Sequence, residues 1–292
     1  MRKRLCSVLV IIILIIILSS VCYANGPGTT GANFLKIGVG ARAAAMGDAF
    51  TAVADDSTSL YWNPAGLARI EKHELSTMYN MWFEGISQGY VSVGFPLLGG
   101  TMGLGANYVS MGDLEGRDES GNPTGTFQAY NLTACVGFAG RLGKLSLGLS
   151  GGMVRSTIAA DSNSAFLGTV GGLFEINQSF SVGAVAQNLG TKLGEDPLPL
   201  ILKVGLSLKM GSFCLAADIG KSQETALYYC MGMEGWIGSV VALRAGYRIN
   251  QDIGSGWTAG LGFKMGGFAL DYAYVPYSNL GNTHRISLGI GF

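Results

Sequence analysis

The chain ends in the stretch THRISLGIGF, residues 283–292, in which the character of the side chain changes at every step. Large apolar residues occupy the even positions from Ile286 to Phe292, and the odd positions hold Arg285, Ser287, Gly289 and Gly291. Successive side chains of a β-strand point to opposite faces. This period of two therefore predicts a strand with one apolar face and one face of small, polar or charged residues.

The same period of two recurs upstream, at residues 200–208, 241–249, 257–265 and 268–274. One face of each segment is mainly large and apolar, and the other is mainly glycine, small polar or charged. A soluble β-sandwich also alternates, but its outward face carries more charge. Here the charges share a face with glycine, which is typical of the lumen of a transmembrane β-barrel.

The composition favours the same class of protein. Of 292 residues, 48% are hydrophobic and 13% are charged, against a usual charged fraction of about 25%. The chain is too apolar for intrinsic disorder and carries too little charge for an ordinary soluble surface. After the N-terminus it has no run of 18 apolar residues that would predict a membrane-spanning helix. A closed barrel is the other structure that satisfies its backbone polar groups inside a bilayer.

Residues 1–24 have the features of a secretory signal peptide. A positive region at Arg2–Arg4 precedes an apolar run from Val8 to Leu18, and small residues lead to a predicted cleavage site after Ala24. An uncleaved anchor is disfavoured because the run is shorter than the ~20 residues that a span needs. Lipidation at Cys22 is disfavoured because the residues before it do not suit a lipidated cysteine.

Between His73 and Phe292 we predict a transmembrane barrel, all-β and antiparallel, of about 14 strands. The strands are expected to begin near residues 74, 86, 100, 126, 144, 164, 178, 198, 212, 225, 238, 256, 267 and 283. Short connections alternate with longer ones such as Gly112–Gly125, although those near Glu84 and Ser222 are short where a long one is expected. Short periplasmic turns and longer external loops characterise outer-membrane barrels, so an even strand count places both barrel ends in the periplasm.

Residues 25–72 do not alternate and are rich in small side chains. We predict a helix over Ala41–Ala54, because alanine is the best helix former, and a short helix between Asp56 and Asn63. A dinucleotide site at Gly38–Gly40 is disfavoured because it needs a βαβ unit. We instead predict a small helical hatch inside the lumen, packed against inward-facing glycines, namely Gly103, Gly105, Gly137, Gly148, Gly260 and Gly262.

Three blocks of this region, at residues 40–47, 49–56 and 61–67, resemble the PorV/PorQ family of outer-membrane proteins. The last block also resembles, more distantly, the FadL-type fatty-acid transporters. The resemblance implies a 14-stranded barrel with an N-terminal hatch, in which Asn63–Gly66 joins the hatch to the wall. The matching hatch residues are Gly40, Arg42, Met46, Gly47, Asp55, Asp56, Asn63, Pro64, Ala65 and Gly66. The terminal decamer with Phe292 resembles the signal that barrel-assembly machinery reads.

Charged residues with inward parity concentrate in the later strands. They are Lys203, Lys209, Asp218, Glu234, Arg244, Arg248, Lys264, Asp271 and Arg285. Two interpretations are open: pairing across the wall in a wet lumen, or ion pairs that latch the hatch. For the second, Asp55 and Asp56 are the candidate partners of Arg244 and Arg248.

The exported chain retains Cys135, Cys214 and Cys230. If the connection between the ninth and tenth strands is a tight turn centred on Ser222, Cys214 lies directly opposite Cys230 on the lumenal face. Opposed residues are within the Cα range that a disulfide tolerates, so a bond between these cysteines is left open.

No catalytic constellation is evident, and we predict neither an enzyme nor a cofactor. The chain has two histidines, which excludes a histidine-rich metal site. His73 lies at the barrel entry, and His284 is predicted to point outward without a serine and carboxylate beside it. Nucleic-acid binding has no electrostatic support, since 19 basic residues balance 19 acidic ones. Aromatic residues near strand ends favour an interfacial girdle, with stacking on a ligand as the alternative. They are Tyr79, Trp82, Tyr108, Tyr130, Trp236, Tyr247, Trp257 and Tyr277.

The sequence therefore predicts a non-enzymatic protein of a bacterial outer membrane. The first functional hypothesis, from the resemblance, is transport of hydrophobic small molecules across that membrane. The alternative is a docking or shuttle component of protein secretion, similar to type IX systems, that transports no solute. The expected partners are outer-membrane lipid, the barrel-assembly machinery, and either a hydrophobic ligand or a secretion-system protein.

Overall fold

The computed structural model describes residues 26, 28–250 and 254–292. The predicted signal peptide, residues 1–24, lies outside this part of the chain. Among the described residues, no helix has the length and apolar character needed to cross a membrane.

Fourteen antiparallel strands form a closed barrel, as predicted. The barrel closes where the first strand pairs with the last, from Glu74 opposite Gly291 to Met81 opposite His284. In chain order the strands are β1 (Glu74–Met81), β2 (Ser87–Leu97), β3 (Gly100–Arg117), β4 (Pro123–Leu142), β5 (Leu145–Ile158), β6 (Asp161–Glu175), β7 (Phe180–Gly190), β8 (Ile201–Met210), β9 (Phe213–Ser222), β10 (Tyr228–Ile237), β11 (Val241–Ile249), β12 (Trp257–Met265), β13 (Phe268–Pro276) and β14 (Asn282–Gly291).

The two faces of the wall differ as the period of two predicts. Outward residues are large, apolar and exposed, for example Leu149, Phe166 and Leu261. Inward residues are buried and are glycine, small polar or charged, for example Ser150 and Arg244. Because the number of strands is even, the first strand begins and the last strand ends at the same end of the barrel. We call the end with the short connections and both barrel termini the turn end, and the opposite one the loop end.

The strands β3 and β4 are much longer than the ~9–11 residues that a tilted span needs, with 18 and 20 residues. The predicted loop Gly112–Gly125 is therefore wrong, because β3 continues to Arg117 and β4 resumes at Pro123. Register shifts interrupt the pairing after Ser110 and after Gly116. These bulges accommodate the glycines that suggested a loop, and residues 111–128 form a two-stranded ribbon at the loop end.

The predicted pairing of Cys214 with Cys230 is also wrong. Cys214 lies opposite Glu234, and Cys230 lies opposite Asp218. All three described cysteines are free. The connection after Ser222 is longer than a tight turn, so the observed register differs from the predicted one by four residues. Such an offset leaves both cysteines on the lumenal face but separates them by four positions, about 13 Å along a strand.

Residues 28–72, which we call the N-terminal segment, contain two short α-helices, α1 (Ala41–Ala45) and α2 (Ser59–Trp62). Short 3-10 helices cover Asn33–Lys36 and Pro64–Arg69, and two more, Phe83–Gly85 and Ser278–Leu280, lie in loops. The predicted helix over Ala41–Ala54 ends early, because Gly47 and Asp48 have φ values of 63° and 61°. A right-handed helix cannot continue through two left-handed residues.

Candidate functional site: the filled lumen

The N-terminal segment runs along the inner face of the wall from the loop end to the turn end. At its start, Phe34 and Leu35 pack with residues of the loop between β7 and β8. In the middle, Phe50 and Thr51 donate their backbone N–H groups to Asp218 of β9, at 3.1 and 2.9 Å. At its end, Ile70 lies against Gly94 of β2, and its carbonyl oxygen accepts from the Thr101 hydroxyl of β3 at 3.4 Å.

Inward glycines let the segment approach the backbone of the wall. A Cβ on Gly183 would lie 2.5 Å from the carbonyl oxygen of Thr51, and one on Gly260 would lie 2.5 Å from the Cβ of Ala45. Real Cβ atoms do not tolerate such distances, so glycine is required where the segment lies closest. Of the six glycines predicted to face the segment, Gly262 instead faces Arg244. The other five contact the segment, together with unpredicted ones at Gly94, Gly171, Gly183, Gly205, Gly232 and Gly246.

The Asn63–Gly66 block lies against β5 and β6. The Asn63 side chain donates to the carbonyl oxygens of Thr51 at 2.9 Å and Gly172 at 3.2 Å, and it accepts from the N–H of Ala65 at 3.2 Å. Pro64 and Ala65 contact Gly148. Asn63 thus joins two turns of the segment to the wall with one buried amide.

Gly66 packs within the segment rather than on the wall, since its Cβ position is 2.6 Å from the Ala54 carbonyl oxygen. Met46 is fully buried and contacts Gly232. Gly40 and Gly47 donate their N–H groups to Met78 Sδ at 3.0 Å and Thr258 Oγ1 at 3.1 Å. The hatch residues implied by the resemblance therefore all lie in the lumen, although their functional role stays a prediction.

Arg42 of α1 is the centre of an ion-pair network. Its guanidinium is 2.6 Å from Asp55, 3.5 Å from Asp56 and 2.9 Å from Glu234 of β10. Glu234 also pairs with Arg244 at 2.7 Å, and Arg244 pairs with Asp271 at 2.6 Å. The network therefore extends from the N-terminal segment to the strands β10, β11 and β13 of the wall.

The network corrects the predicted partners of Asp55 and Asp56. Both carboxylates pair with Arg42 of their own segment, and Asp55 also reaches Lys209 of β8 at 3.3 Å. Arg248 pairs instead with Asp48, at 3.0 Å. Strand parity placed Lys209 and Arg248 on the correct face of the wall, but the fold of the N-terminal segment decides which carboxylates they meet.

The remaining inward charges also contact the segment or the space below it. Lys203 lies over the ring of Trp62, at 4.7 Å. Arg285 donates to the carbonyl oxygen of Gly38 at 2.9 Å. Lys264 lines the open space at the turn end. Sequence reasoning missed the anchoring role of Asp218, although its inward parity was a usable signal.

The two adjacent carboxyl groups of the segment respond to burial differently. Burial opposes ionisation of Asp55, but the positive charges of Arg42 and Lys209 outweigh it and lower the pKa of this carboxyl. Burial is the largest effect on Asp56 and raises its pKa, and the negative charge of Asp55 acts in the same direction. Arg42 is the opposing influence on Asp56.

The lumen contains a large vestibule and a small internal cavity. A vestibule of about 1260 Å³ lies at the turn end, and charges of both signs line it. The basic residues are Arg42, Arg69, Lys72, Arg141, Lys209, Arg244 and Lys264, and the acidic ones are Asp55, Asp56, Glu71, Glu74, Glu175, Glu234 and Asp271. A second cavity of about 50 Å³ lies between the segment and β2–β7, and its lining includes Leu35, Leu60, Tyr61, Cys135 and Gln187.

The aromatic residues predicted to form an interfacial girdle do not all face outward. Trp236 faces inward and stacks on Arg244 at 5.7 Å, so its assignment to an outer girdle is wrong. Tyr277, at the loop end, packs against the buried cluster that contains Ala41 and Ala44 of the segment. The other six lie towards the loop end, where rings pair, as in Tyr108–Tyr130 and Trp257–Tyr274. His284 contacts Tyr272 through a 2.7 Å hydrogen bond. His73 is exposed beside the ring of Phe292, whose N–H donates to the His73 carbonyl oxygen at 2.9 Å.

Several solved structures share this fold. The CymD monoaromatic hydrocarbon channel matches with a TM-score of 0.66 and 14% identity, covering 88% of this chain and 98% of its own. The Ralstonia pickettii toluene transporter TbuX matches at 0.65 and 14%, covering 87% and 98%. A Pseudomonas aeruginosa FadL homologue matches at 0.56 and 10%, covering 86% and 97%. At such identities the likeness establishes the fold alone.

Comparison with curated protein sequences gives no significant match. A family model does match: Type IX secretion system protein PorV, over residues 24–180. The matched region contains the N-terminal segment and the first six strands, and it covers more than half of the 292 residues. The chain therefore belongs to the PorV family of outer-membrane β-barrel proteins.

Proposed function

We propose that this protein acts in the outer membrane as a closed barrel that docks other proteins during secretion. The filled lumen carries the proposal. Residues of the N-terminal segment such as Val39, Met46, Phe50, Val53 and Leu67 have no exposure to solvent. A barrel of this construction is suited to presenting its outer surfaces rather than to conducting solutes.

The chemistry of the remaining spaces supports this choice. Small-molecule sites usually occupy about 300–1,000 Å³ with mainly apolar lining. The vestibule is large enough, but charges of both signs line it. The internal cavity contains apolar side chains, but its volume is about 50 Å³. Neither space suits a hydrophobic compound in this conformation.

The ribbon of residues 111–128 offers a docking surface. Within the described chain, the ribbon residues 111–117 and 123–127 pair only with each other, because the β2 ladder ends at Ser110 and the bonding to the β5 side ends where the Ala159 N–H donates to the Gln128 carbonyl oxygen. Both ribbon edges therefore have backbone groups available for strand addition. Its charged side chains are four acidic and one basic, namely Asp113, Glu115, Asp118, Glu119 and Arg117. We propose that it binds an extended segment of a secreted or secretion-system protein with net positive charge.

Planar-bilayer recording tests the closed state. The full-length protein should give no steady conductance, and deleting residues 25–66 should produce one, because the lumen loses its filling. A steadily open full-length barrel would overturn the proposal.

Co-purification from native membranes tests the docking surface. The variant Asp113→Asn/Glu115→Gln/Glu119→Gln removes three ribbon charges and leaves Asp118, which accepts from the N–H groups of Ser120 and Asn122. A matched control, Glu84→Gln/Asp161→Asn/Glu195→Gln, neutralises three exposed acids elsewhere at the loop end. The ribbon variant should lose a partner that the control retains. Equal recovery from both would refute docking at the ribbon.

Transport of hydrophobic small molecules is the second candidate. The observation that favours it is a register shift in the β6–β7 ladder between Gly168 and Val170, beside the internal cavity that Thr169 and Gln187 line. Structural neighbours described as hydrocarbon channels and toluene transporters make aromatic hydrocarbons the natural probe. Proteoliposomes should take up radiolabelled toluene faster than empty liposomes if this candidate is correct, and at the same rate if the docking proposal is.

A further inference from the structure

The first residues of the N-terminal segment lie across the loop end of the barrel. We call residues 28–37 the strap. The N–H of Gly31 donates to the carbonyl oxygen of Pro197 at 2.9 Å. Phe34 and Leu35 pack in one cluster with Leu193 and Leu198. The strap is therefore fixed to the loop between β7 and β8.

Glu224 fixes the strap to a second loop, between β9 and β10. Its carboxylate accepts from the N–H of Thr30 at 2.7 Å and from the Lys36 ammonium. The residue is 4% exposed. Burial opposes its ionisation, but the donors Lys36 and Thr30 outweigh burial and lower the pKa of the carboxyl. An ionised, buried carboxylate whose cationic partner is Lys36 of the strap is costly to leave unpaired.

The strap also covers the internal cavity. Leu35 lines it, and Tyr61 beside it donates its hydroxyl to the Leu35 carbonyl oxygen at 2.9 Å. Cys135 of β4 lines the same cavity from the wall. Displacement of the strap would therefore expose Cys135 to the loop end, so a native thiol reports on the closed state.

We propose that the strap is a lid at the cell-surface end of the barrel, that Glu224 is its clasp, and that a cationic segment of an extracellular partner opens it by replacing Lys36 at Glu224. The location follows from the topology, because the turn end carries both barrel termini and faces the periplasm. A partner that binds the open state more tightly shifts the equilibrium by that difference in affinity. This inference does not depend on the proposed docking function.

The first test measures modification of Cys135 by a membrane-impermeant maleimide in a Cys214→Ser/Cys230→Ser background. Glu224→Gln should accelerate labelling about tenfold or more, and Lys36→Met should also accelerate it. Glu195→Gln, in the neighbouring loop, should not change the rate. The charge exchange Glu224→Lys/Lys36→Glu should label more slowly than either single variant but faster than the parent, because it re-forms the ion pair and loses the acceptor for the Thr30 N–H. Heat-modifiable migration on gels verifies that each variant is folded. Unchanged labelling in folded Glu224→Gln would overturn the clasp.

The second test places the strap relative to the membrane. In a background without cysteines, Thr29→Cys should react in intact cells, whereas Lys72→Cys at the turn end should react only after the outer membrane is permeabilised. The opposite pattern would overturn the surface location.

The third test uses decalysine as a model of the cationic segment. Added to the protein in detergent, it should accelerate Cys135 labelling in the parent but not in Glu224→Gln, which is already open. Equal rates with and without decalysine in the parent would overturn opening by a cation.

Discussion

Arg42 of the N-terminal segment and Glu234 of β10 form a bidentate pair, with guanidinium-to-carboxylate hydrogen bonds of 2.9 and 3.0 Å. Glu234 is 3% exposed, and its second positive neighbour, Arg244, is also buried. Two parallel hydrogen bonds between a guanidinium and a carboxylate fix the relative orientation of the two groups as well as stabilising their contact. The pair therefore fixes both the position and the orientation of α1 against the wall.

Arg42→Met should weaken the attachment of the segment by about 3 kcal/mol, the lower end of the cost of breaking a buried pair. The lower end applies because the pair borders the water-accessible vestibule. The measurement is thermal unfolding in detergent, with limited proteolysis of the segment as a second readout. Arg155→Met, which removes an exposed arginine at the loop end, is the control. An equal effect from both variants would show that Arg42 acts only through its general charge.

Gly148→Ala should displace the Asn63–Gly66 block. The added methyl group would collide with the backbone of Pro64 and Ala65, and overpacking of this kind costs about 1–3 kcal/mol. Gly140→Ala is a matched control on a neighbouring strand, because nothing lies within 4 Å of its Cβ position. Protease sensitivity of residues 28–72 should rise in Gly148→Ala alone. Similar digestion of the two variants would contradict the contact.

The strand pattern was predictable because lipid-facing and lumenal side chains must alternate in a barrel wall. Pattern and parity therefore give the strand count and place Asp218, Glu234 and Arg244 on the inner face. The ribbon was not predictable in this way. Beyond the membrane no lipid enforces alternation, and Gly112 and Gly125 there resemble a loop although bulges accommodate them.

Partner identities were less predictable than faces. An alternation with period two is unchanged when the register between two strands shifts by an even number of residues. The pattern therefore could not fix the register of β9 and β10, and the predicted one wrongly placed Cys230 opposite Cys214. Alanine content favoured a long helix after Ala41, but close approach to the wall at Gly246 requires a left-handed turn at Gly47. That turn brings Asp55 back to Arg42, and local propensity carries no information about such a contact.

The adjacent carboxylates Asp55 and Asp56 should have opposite effects on stability. Asp55 has a lowered pKa, so its stabilisation is complete above the unfolded value of about 3.9 and is lost as pH falls through its folded pKa. Asp56 has a raised pKa, so its contribution is complete at low pH and is lost as pH rises through its folded pKa.

At pH 7, Asp55→Asn should therefore lower Tm, and Asp56→Asn should raise it. Each change is expected to be on the order of 2–4 °C, the shift that ~1 kcal/mol produces in a chain of about 150–250 residues. The Asp56 difference should shrink as pH falls through the raised folded pKa of that carboxyl, whereas the Asp55 difference should begin to shrink only below about 3.9 and vanish below the lowered folded pKa. Asn preserves an acceptor for the Thr58 N–H that Asp56 binds at 2.9 Å. Two shifts of the same sign at pH 7 would refute the opposite roles.

The register of β9 and β10 can be tested by cross-linking on the outward face, where substitutions leave the lumen intact. Leu215 lies opposite Met233, so Leu215→Cys/Met233→Cys should form a disulfide, because directly opposed Cα atoms are about 4.5–5.5 Å apart. Leu215→Cys/Tyr229→Cys is the matched control, since a tight turn at Ser222 would oppose these two residues instead. In the observed register they are four positions out of step, about 13 Å along the strand. Cys135, Cys214 and Cys230 are replaced by serine, and the chain is cleaved in the β9–β10 connection so that a disulfide holds the two pieces together. After mild oxidation, a non-reducing gel should show cross-linking in the first variant alone. Cross-linking in the control alone would establish the shorter turn and return Cys214 to the position opposite Cys230.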